Sequence, residues 1–331
     1  MNMPTKFSVV ITTYNRLSFL KRAIQSALDQ SVNCEVVVAD DGSSDGTKEY
    51  LESLGDRVTY HRNSTNMGHS ATVNAGVNAA SGDWIKLLDD DDYLAPDCIE
   101  KLVSAIAPCP NAAIASCQAI QVDENGVELS RTKYNGAGDI FYISQEDIHY
   151  GMLLEVVPFG TPVQVAFKRE AFLRSGGWES AFDGNCDDIN SWIKIAKYGD
   201  AVFLSNYLGY RTMWSGGCHK QLTLKQRLDT NYILKEQIYS LISAKYSSSL
   251  PTLKIINLYL KLHWFLVGLK QKQPLEAIKV AGSALFSLNA WSFLYNLRFS
   301  KKIPQQYLQT LKEKSLNFTN SKIESSKQLV S

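Results

Sequence analysis

The chain has 331 residues, 45% of them hydrophobic and 20% charged, with a formal net charge of +1. That length and apolar content exclude a disordered or fibrous chain and admit one large or two modest domains with their own cores. The six cysteines, at 34, 98, 109, 117, 186 and 218, show no CxxC or other metal-like spacing, which speaks against a zinc ribbon and fits a reduced cytoplasmic protein with small core thiols.

The net charge conceals a division. Residues 1–218 hold 17 Lys/Arg and 28 Asp/Glu, a balance of −11, whereas residues 219–331 hold 17 and five, a balance of +12. Such asymmetry predicts two parts with different partners. No signal peptide is expected, because Pro4 and Lys6 lead directly into strand-like residues 7–12.

In chain order, residues 7–12 read as a buried strand and Thr13-Tyr14-Asn15-Arg16 as a loop. Leu17, Leu20, Ala23, Ile24 and Leu28 then keep helical spacing. A second strand, Glu35-Val-Val-Val-Ala39, ends in Asp40-Asp41-Gly42-Ser43-Ser44-Asp45-Gly46, and a helix follows through Leu51 and Leu54. A third short strand covers residues 58–61; after the turn at Asn66-Met67-Gly68, a small-residue helix runs over about 69–80. This alternation predicts a mostly parallel α/β sheet with right-handed crossovers and ligands beyond the carboxyl ends of the strands.

The fourth strand leads into Asp89-Asp90-Asp91-Asp92, with Pro96 expected at the first position of the next helix. Four adjacent carboxylates repel one another, and a divalent cation would relieve that repulsion. In an extended chain Asp89 and Asp91 point the same way, which makes them the natural ligand pair for Mg²⁺ or Mn²⁺. A solvated acidic loop capping the next helix is the plain alternative.

Residues 112–122 read as a strand, Asp123-Glu124-Asn125-Gly126 as a hairpin turn, and 163–167 as another strand. Residues 130–162 carry no clear pattern. Asp187 and Asp188 open a helix, where capping alone would account for acids in a first turn. Residues 201–204 and 208–213 read as two short strands. From about Leu222 the chain turns helical and basic, with helices expected over 222–245, 252–270, 274–287, 289–299 and 304–316, and a frayed polar end. Residues 280–297 lack charge, but Ser283, Ser287, Asn289, Ser292 and Asn296 argue against a span. The expectation is packed helices, or helices at a membrane interface on the cytoplasmic side; a soluble subdomain or a homodimer is the alternative.

The order Val-Val-Ile-Thr-Thr-Tyr-Asn-Arg (9–16), Val-Val-Ala-Asp-Asp-Gly-Ser-Ser-Asp-Gly-Thr (37–47), Asn-Met-Gly…Asn-Ala-Gly (66–76) and Leu-Asp-Asp-Asp-Asp-Tyr-Leu (88–94) resembles family-2 glycosyltransferases. Phe182-Asp183 and Asp187-Asp188, with Trp192 and Lys194, resemble the same family's later acidic motif. The resemblance covers roughly residues 6–219 and implies a GT-A fold, with the basic C-terminal region 220–331 as a helical extension.

It also implies roles. Thr12, Tyr14 and Asp41 would line the base and ribose pocket, with Asn15, Asn74, Asp89 and Asp90 also on the nucleotide-sugar. Asp89 and Asp91 would hold Mn²⁺ or Mg²⁺ against the diphosphate, and Asp188 would be the general base. The motif is commonly Glu-Asp, so Asp187 stays a second candidate. His219, in a Gly-rich loop, is a candidate for closing over the diphosphate or binding the metal; an ordinary surface histidine is its plain reading. The implied acceptor is a glycan, a lipid-linked glycan or a protein.

Two other chemistries compete. Asp41-Gly-Ser-Ser-Asp-Gly…Glu52 approaches a calcium-binding EF-hand loop, but strand-like residues precede it where a helix is required. Magnesium-dependent nucleotidyl or phosphoryl transfer would use similar acids, but no GxxxxGK[ST] loop is present to cradle a triphosphate. The C-terminal aromatics sit in apolar runs, which disfavours nucleic-acid binding.

Overall fold

The computed structural model describes residues 5–214 and 222–328. These form two compact units. The first comprises Met1–Ile143, Phe159–Cys218 and Ser315–Ser331; the second comprises Ser144–Pro158 and His219–Lys314.

The first unit is built on a ten-stranded sheet: β1 (Phe7–Thr13), β2 (Glu35–Asp40), β3 (Thr59–Arg62), β4 (Trp84–Asp89), β5 (Tyr93–Leu94), β6 (Ala112–Val122), β7 (Glu128–Arg131), β8 (Ile140–Ile143), β9 (Val165–Lys168) and β10 (Asp200–Thr212). The spatial order is β3-β2-β1-β4-β9-β6-β10-β5, with β7 against β6 and β8 against β10. β3, β2, β1 and β4 pair in parallel, as do β6 and β10. β9 lies antiparallel to both of its neighbours, β4 and β6. All seven residues of β1 are buried, as expected for a strand covered on both faces.

Register aligns the chemistry-bearing ends. Thr12 stands opposite Ala39 on one side and Asp89 on the other. The helix His69–Ala79 approaches β1 and β2 closely at Gly76, where a Cβ would lie 2.6 Å from Val10 Cγ1 and 3.1 Å from Ala39 Cβ. Lys86 in β4 is fully buried yet satisfied. Its ammonium donates to the carbonyls of Leu87 (2.9 Å), Pro162 (3.0 Å) and Val165 (3.3 Å).

Several boundaries differ from the sequence reading. Pro96 does not open its helix, which runs over Cys98–Ile106; Ala95 accepts from the Cys98 N–H at 3.0 Å in a turn containing Pro96. The expected strand at 163 begins as a tight 3₁₀ turn, Pro162–Gln164, which Thr161 precedes as the cap and Pro162 opens before β9. The two strands expected at 201–213 are one, β10, with register shifts between Phe203 and Gly209; irregular pairing breaks the alternation that a sequence pattern detects. The unpatterned region supplies β7, β8 and the helix Gln145–Leu153.

The second unit is helical: Gln145–Leu153, Leu224–Ser240, Leu253–Lys270, Pro274–Ala281, Leu288–Leu294 and the first half of Lys302–Gln328. Helices expected over 274–287 and 289–299 each end early, in a 3₁₀ turn at Gly282–Phe286 and a π turn at Tyr295–Phe299. The last helix runs to Gln328, past the expected frayed end. Buried Asp147 anchors this unit, meeting Lys314 at 2.9 Å, Lys245 at 3.0 Å and the Tyr246 hydroxyl. Burial opposes its charge, but these partners hold it down to about 2.

Candidate active site

Four chain segments converge where β1, β2 and β4 end: the loop after β1, the loop after β2, the four aspartates, and the start of the helix Asp187–Ile195. His69, the first residue of its helix, joins them. Its Nδ1 lies 3.1 Å from Asp187 Oδ2, its Nε2 3.4 Å from Asp89 Oδ1 and 3.5 Å from Thr12 Oγ1. Trp178 packs edge-on against the ring at 5.1 Å. Burial alone would lower the His69 pKa, but hydrogen bonds to Asp187 and Asp89 raise it well above the usual value.

The four aspartates are not an extended run. Asp92 N–H donates to Asp89 O at 3.1 Å, so Asp90 and Asp91 occupy the middle of a turn. The turn sends each carboxylate to different partners. Asp89 faces His69; burial opposes its charge, but His69 and Arg16 keep it below the ordinary carboxylate range. Asp90 is buried and accepts from Thr13 Oγ1 (2.8 Å), Arg16 Nη1 (3.0 Å) and, more weakly, Tyr14 N–H (3.4 Å). Burial still pushes it up to about 6. Asp91 accepts from Trp214 Nε1 at 2.9 Å and lies 3.5 Å from Arg16; burial and Asp89 raise its pKa. Asp92 is buried, accepts from Thr212 N–H at 2.8 Å, and is pushed well above the usual range by burial and then by Asp91 and Asp89.

Asp187 and Asp188 divide in the same way. Asp187 is tied to His69 and to the Asp188 N–H at 3.0 Å. Asp188 accepts from the Ile189 N–H at 2.7 Å, and burial followed by Asp187 pushes it up to about 7. Cys186, just before them, holds φ at +65°, a strained value for a side-chain-bearing residue that turns the chain sharply into the helix.

The other residues singled out in the sequence have structural partners. Asp41 is buried and turned toward the 66–68 turn, accepting from Asn63 Nδ2 (2.8 Å), Met67 N–H (2.8 Å) and Gly68 N–H (3.0 Å). Asn15, at φ +53°, accepts from Ser44 N–H at 2.7 Å and so fastens the loop after β2 to the loop after β1. Asn74 engages the Trp178 backbone at both ends of its amide, at 3.0 and 2.9 Å. Thr12 is buried beside His69, and Tyr14 is 44% exposed at the rim. His219 lies outside the described residues. The EF-hand reading fails on two observations: the strand β2 precedes the loop, and Asp45 caps neighbouring helices through Leu17 N–H (2.9 Å) and Thr47 Oγ1 (2.6 Å).

Sequence reasoning missed His69, Arg16 and Trp214 as site residues. Arg16 closes the Tyr-Asn-Arg loop, the one cation placed beside β1's end by sequence alone. His69 gave no signal, since only the fold brings residues 69, 89 and 187 together.

Among the described residues, no group of three or more His, Cys, Asp or Glu side chains forms a metal cage. Asp89 and Asp91 are two hard oxygen donors on one turn, and Asp90 is occupied by Thr13 and Arg16. Two carboxylates suit Mg²⁺ or Mn²⁺ held jointly with substrate phosphates.

The family model described as "Glycosyl transferase family 2" matches residues 8–175. An uncharacterized glycosyltransferase of Haemophilus influenzae is 30% identical over 193 residues, 57% of this chain and 61% of the relative. The chain thus spans about six-tenths of that relative, and the match to a second one covers 42% of its length. Among solved structures, Staphylococcus aureus TarS 1-349 in complex with UDP-GlcNAc aligns with a TM-score of 0.62 at 16% identity, covering 93% of this chain and 90% of that one. The mannosyltransferase PcManGT of Pyrobaculum calidifontis, in complex with GDP-Man and Mn²⁺, aligns with a TM-score of 0.52 at 21% identity, covering 95% and 88%.

Proposed function

We propose that this chain, which belongs to glycosyl transferase family 2, moves a sugar from a nucleoside-diphosphate donor to an acceptor hydroxyl, with inversion, in the synthesis of a polysaccharide or other glycoconjugate. The observation that carries this reading is the division of labour among the acids. Asp89 and Asp91 stand at the end of β4, while Asp188, pushed up to about 7, stands at the start of a helix tied to them through His69.

In this reading Asp188 takes the proton from the acceptor hydroxyl, whose oxygen attacks the anomeric carbon as the nucleoside diphosphate leaves. A base with a pKa near the working pH combines the right protonation state with useful basicity. Asp187 serves His69 and not the acceptor. Asp89 and Asp91 are the residues that would hold Mn²⁺ or Mg²⁺, which would supply Lewis-acid neutralisation of the leaving diphosphate. Thr12, Tyr14 and the Asn15–Ser44 clasp border the nucleotide, and Asp41 acts by shaping the 66–68 turn that faces it. Among the described residues the other carboxylates of the site are engaged by His69, Thr13, Arg16, Trp214 and Thr212, which favours direct displacement over a covalent sugar intermediate.

The donors bound to the two solved neighbours, UDP-GlcNAc and GDP-Man, define the first candidates. A thermal-shift screen of UDP- and GDP-sugars with and without Mn²⁺, followed by product analysis with glycan and lipid-linked acceptors, tests the reading. Stabilisation by a sugar nucleotide that requires the cation supports it. Stabilisation by nucleoside triphosphates alone would move the chain to nucleotidyl transfer.

A further inference from the structure

We propose that the bent pair of helical segments Pro274–Phe286 and Leu288–Phe299 is a wedge that seats in the headgroup–acyl boundary of a bilayer containing anionic lipid. The two segments meet at Ser287 with a bend of 110°. Their side chains are arranged inside out. Small residues, Ala277, Ala281, Ala284 and Ala290, are buried within the second unit. Five large ones face solvent, Leu275 at 75% exposed, Phe286 88%, Leu288 84%, Tyr295 60% and Phe299 63%, whereas Val280, Leu294 and Leu297 pack inward.

The seam explains the inversion. Gly268 of the helix Leu253–Lys270 faces Ala277 so closely that a Cβ on Gly268 would lie 2.8 Å from the alanine's own. Small residues at this seam let the first segment pack tightly, which leaves Leu275 and Phe286 on its outer face. Phe286 and Leu288 flank the bend and are the most exposed large hydrophobics of the described residues. Isolated exposed apolar side chains are ordinary, but two pairs on one bent segment, Phe286 with Leu288 at the bend and Tyr295 stacked with Phe299, mark an interaction surface.

Charge selects the partner. Residues 270–302 contain six Lys/Arg and one acid, Glu276. Lys279 pairs with Glu276 at 3.1 Å and Arg298 with Glu155 at 2.8 Å. Lys270, Lys272, Lys301 and Lys302 form no ion pair among the described residues, and they bracket the apolar segment at both ends. Apolar side chains at the bend, with cations at the open ends, match a surface that is apolar inside and anionic at its rim. A second copy of the chain would instead set the same basic ends against one another. No single described helix is long and apolar enough to cross a bilayer, and the 110° bend with cations at both open ends suits a wedge in the interface.

Flotation of the full-length chain with phosphatidylcholine vesicles, with and without phosphatidylglycerol, tests this independently of any transfer activity. The chain is expected to float with the anionic vesicles at low salt and to be partly released by salt. Phe286→Ser/Leu288→Ser, at sites too exposed to disturb folding, is expected to lower partitioning about a hundredfold. Lys301→Glu/Lys302→Glu is expected to lower it tenfold or more at low salt only. Absence of flotation, or a serine double variant that floats like the parent, overturns the proposal. So does a concentration-dependent dimer in sedimentation that the serine variant abolishes, which would assign this face to a second copy.

Discussion

His69 Nδ1 and Asp187 Oδ2 stand 3.1 Å apart, although 118 positions separate the two residues in the chain. Through its other nitrogen the same ring faces Asp89 at 3.4 Å. One imidazolium therefore connects the acidic end of β4 to the acidic start of the helix Asp187–Ile195. It also engages Asp187, which is why the proposed reading gives the role of base to Asp188.

Asp188→Asn is expected to lower kcat by about 10²-fold or more while leaving donor KM nearly unchanged, since only the proton acceptor is lost. The parent's rate should fall as pH drops through about 7, because protonation of Asp188 silences the base. The variant's residual rate should lack that limb. A dead Asp187→Asn beside an active Asp188→Asn, in steady-state kinetics, would reverse the assignment.

His69 contributes stability that depends on pH with a definite sign. Its folded pKa is raised, so its contribution is full below the unfolded value of about 6.5 and is lost as pH rises through the higher folded value. Chemical denaturation of the parent and His69→Ala, with chelator present, should give curves that converge at alkaline pH. A gap that stays constant from pH 6 to 10 would mean that the ring acts by packing on Trp178 alone.

Asp90 and Asp91 are neighbours with different predicted phenotypes. Asp91→Asn is expected to weaken cation-dependent donor binding at least about tenfold, whereas Asp90→Asn should leave it nearly intact. Burial pushes Asp90 up to about 6, so ionising it opposes folding once pH exceeds the unfolded carboxylate value of about 3.9. The parent should therefore gain stability relative to Asp90→Asn as pH falls from about 6 toward 4. Calorimetric donor titrations and denaturation curves read the two halves of this prediction separately.

Gly76→Ala places a methyl group 2.6 Å from Val10 Cγ1 and 3.1 Å from Ala39 Cβ, between the helix and the sheet. A destabilisation of about 1–3 kcal/mol is expected from overpacking. Thermal unfolding measures it, and a neutral result would show that the helix His69–Ala79 can shift away from β1.

The parallel half of the sheet was legible because β1, β2 and β4 are mostly apolar runs ending in polar turns, and the family motifs lie on those turns. The hairpin at 123–126 was legible from its turn residues; Gly126 takes φ +83° as that turn requires. β9 was placed but not its antiparallel insertion between β4 and β6, because strand direction is settled by topology and not by composition. The acidic cluster was placed at the end of β4, where it stands, yet with the wrong local geometry. A period-two argument assumes an extended chain, and the hydrogen bond from Asp92 to Asp89 makes a turn instead. His69 stayed hidden because its significance depends on partners 20 and 118 positions away.

β8 draws on the far end of the chain. Tyr142 N–H donates to Ser315 Oγ at 2.8 Å, and the Phe318 ring lies 4.7 Å from that of Tyr142. Trimming the chain before Ser315 to obtain a tidier fragment would leave a buried amide without its acceptor and strip an aromatic neighbour from the sheet's margin. A single proteolytic nick near residue 219 would not liberate the first unit intact either, because one of its segments would stay on the other fragment. Expression boundaries and limited-digest maps for this protein should therefore be drawn around Ser315, although sequence motifs alone would place the cut a hundred residues earlier.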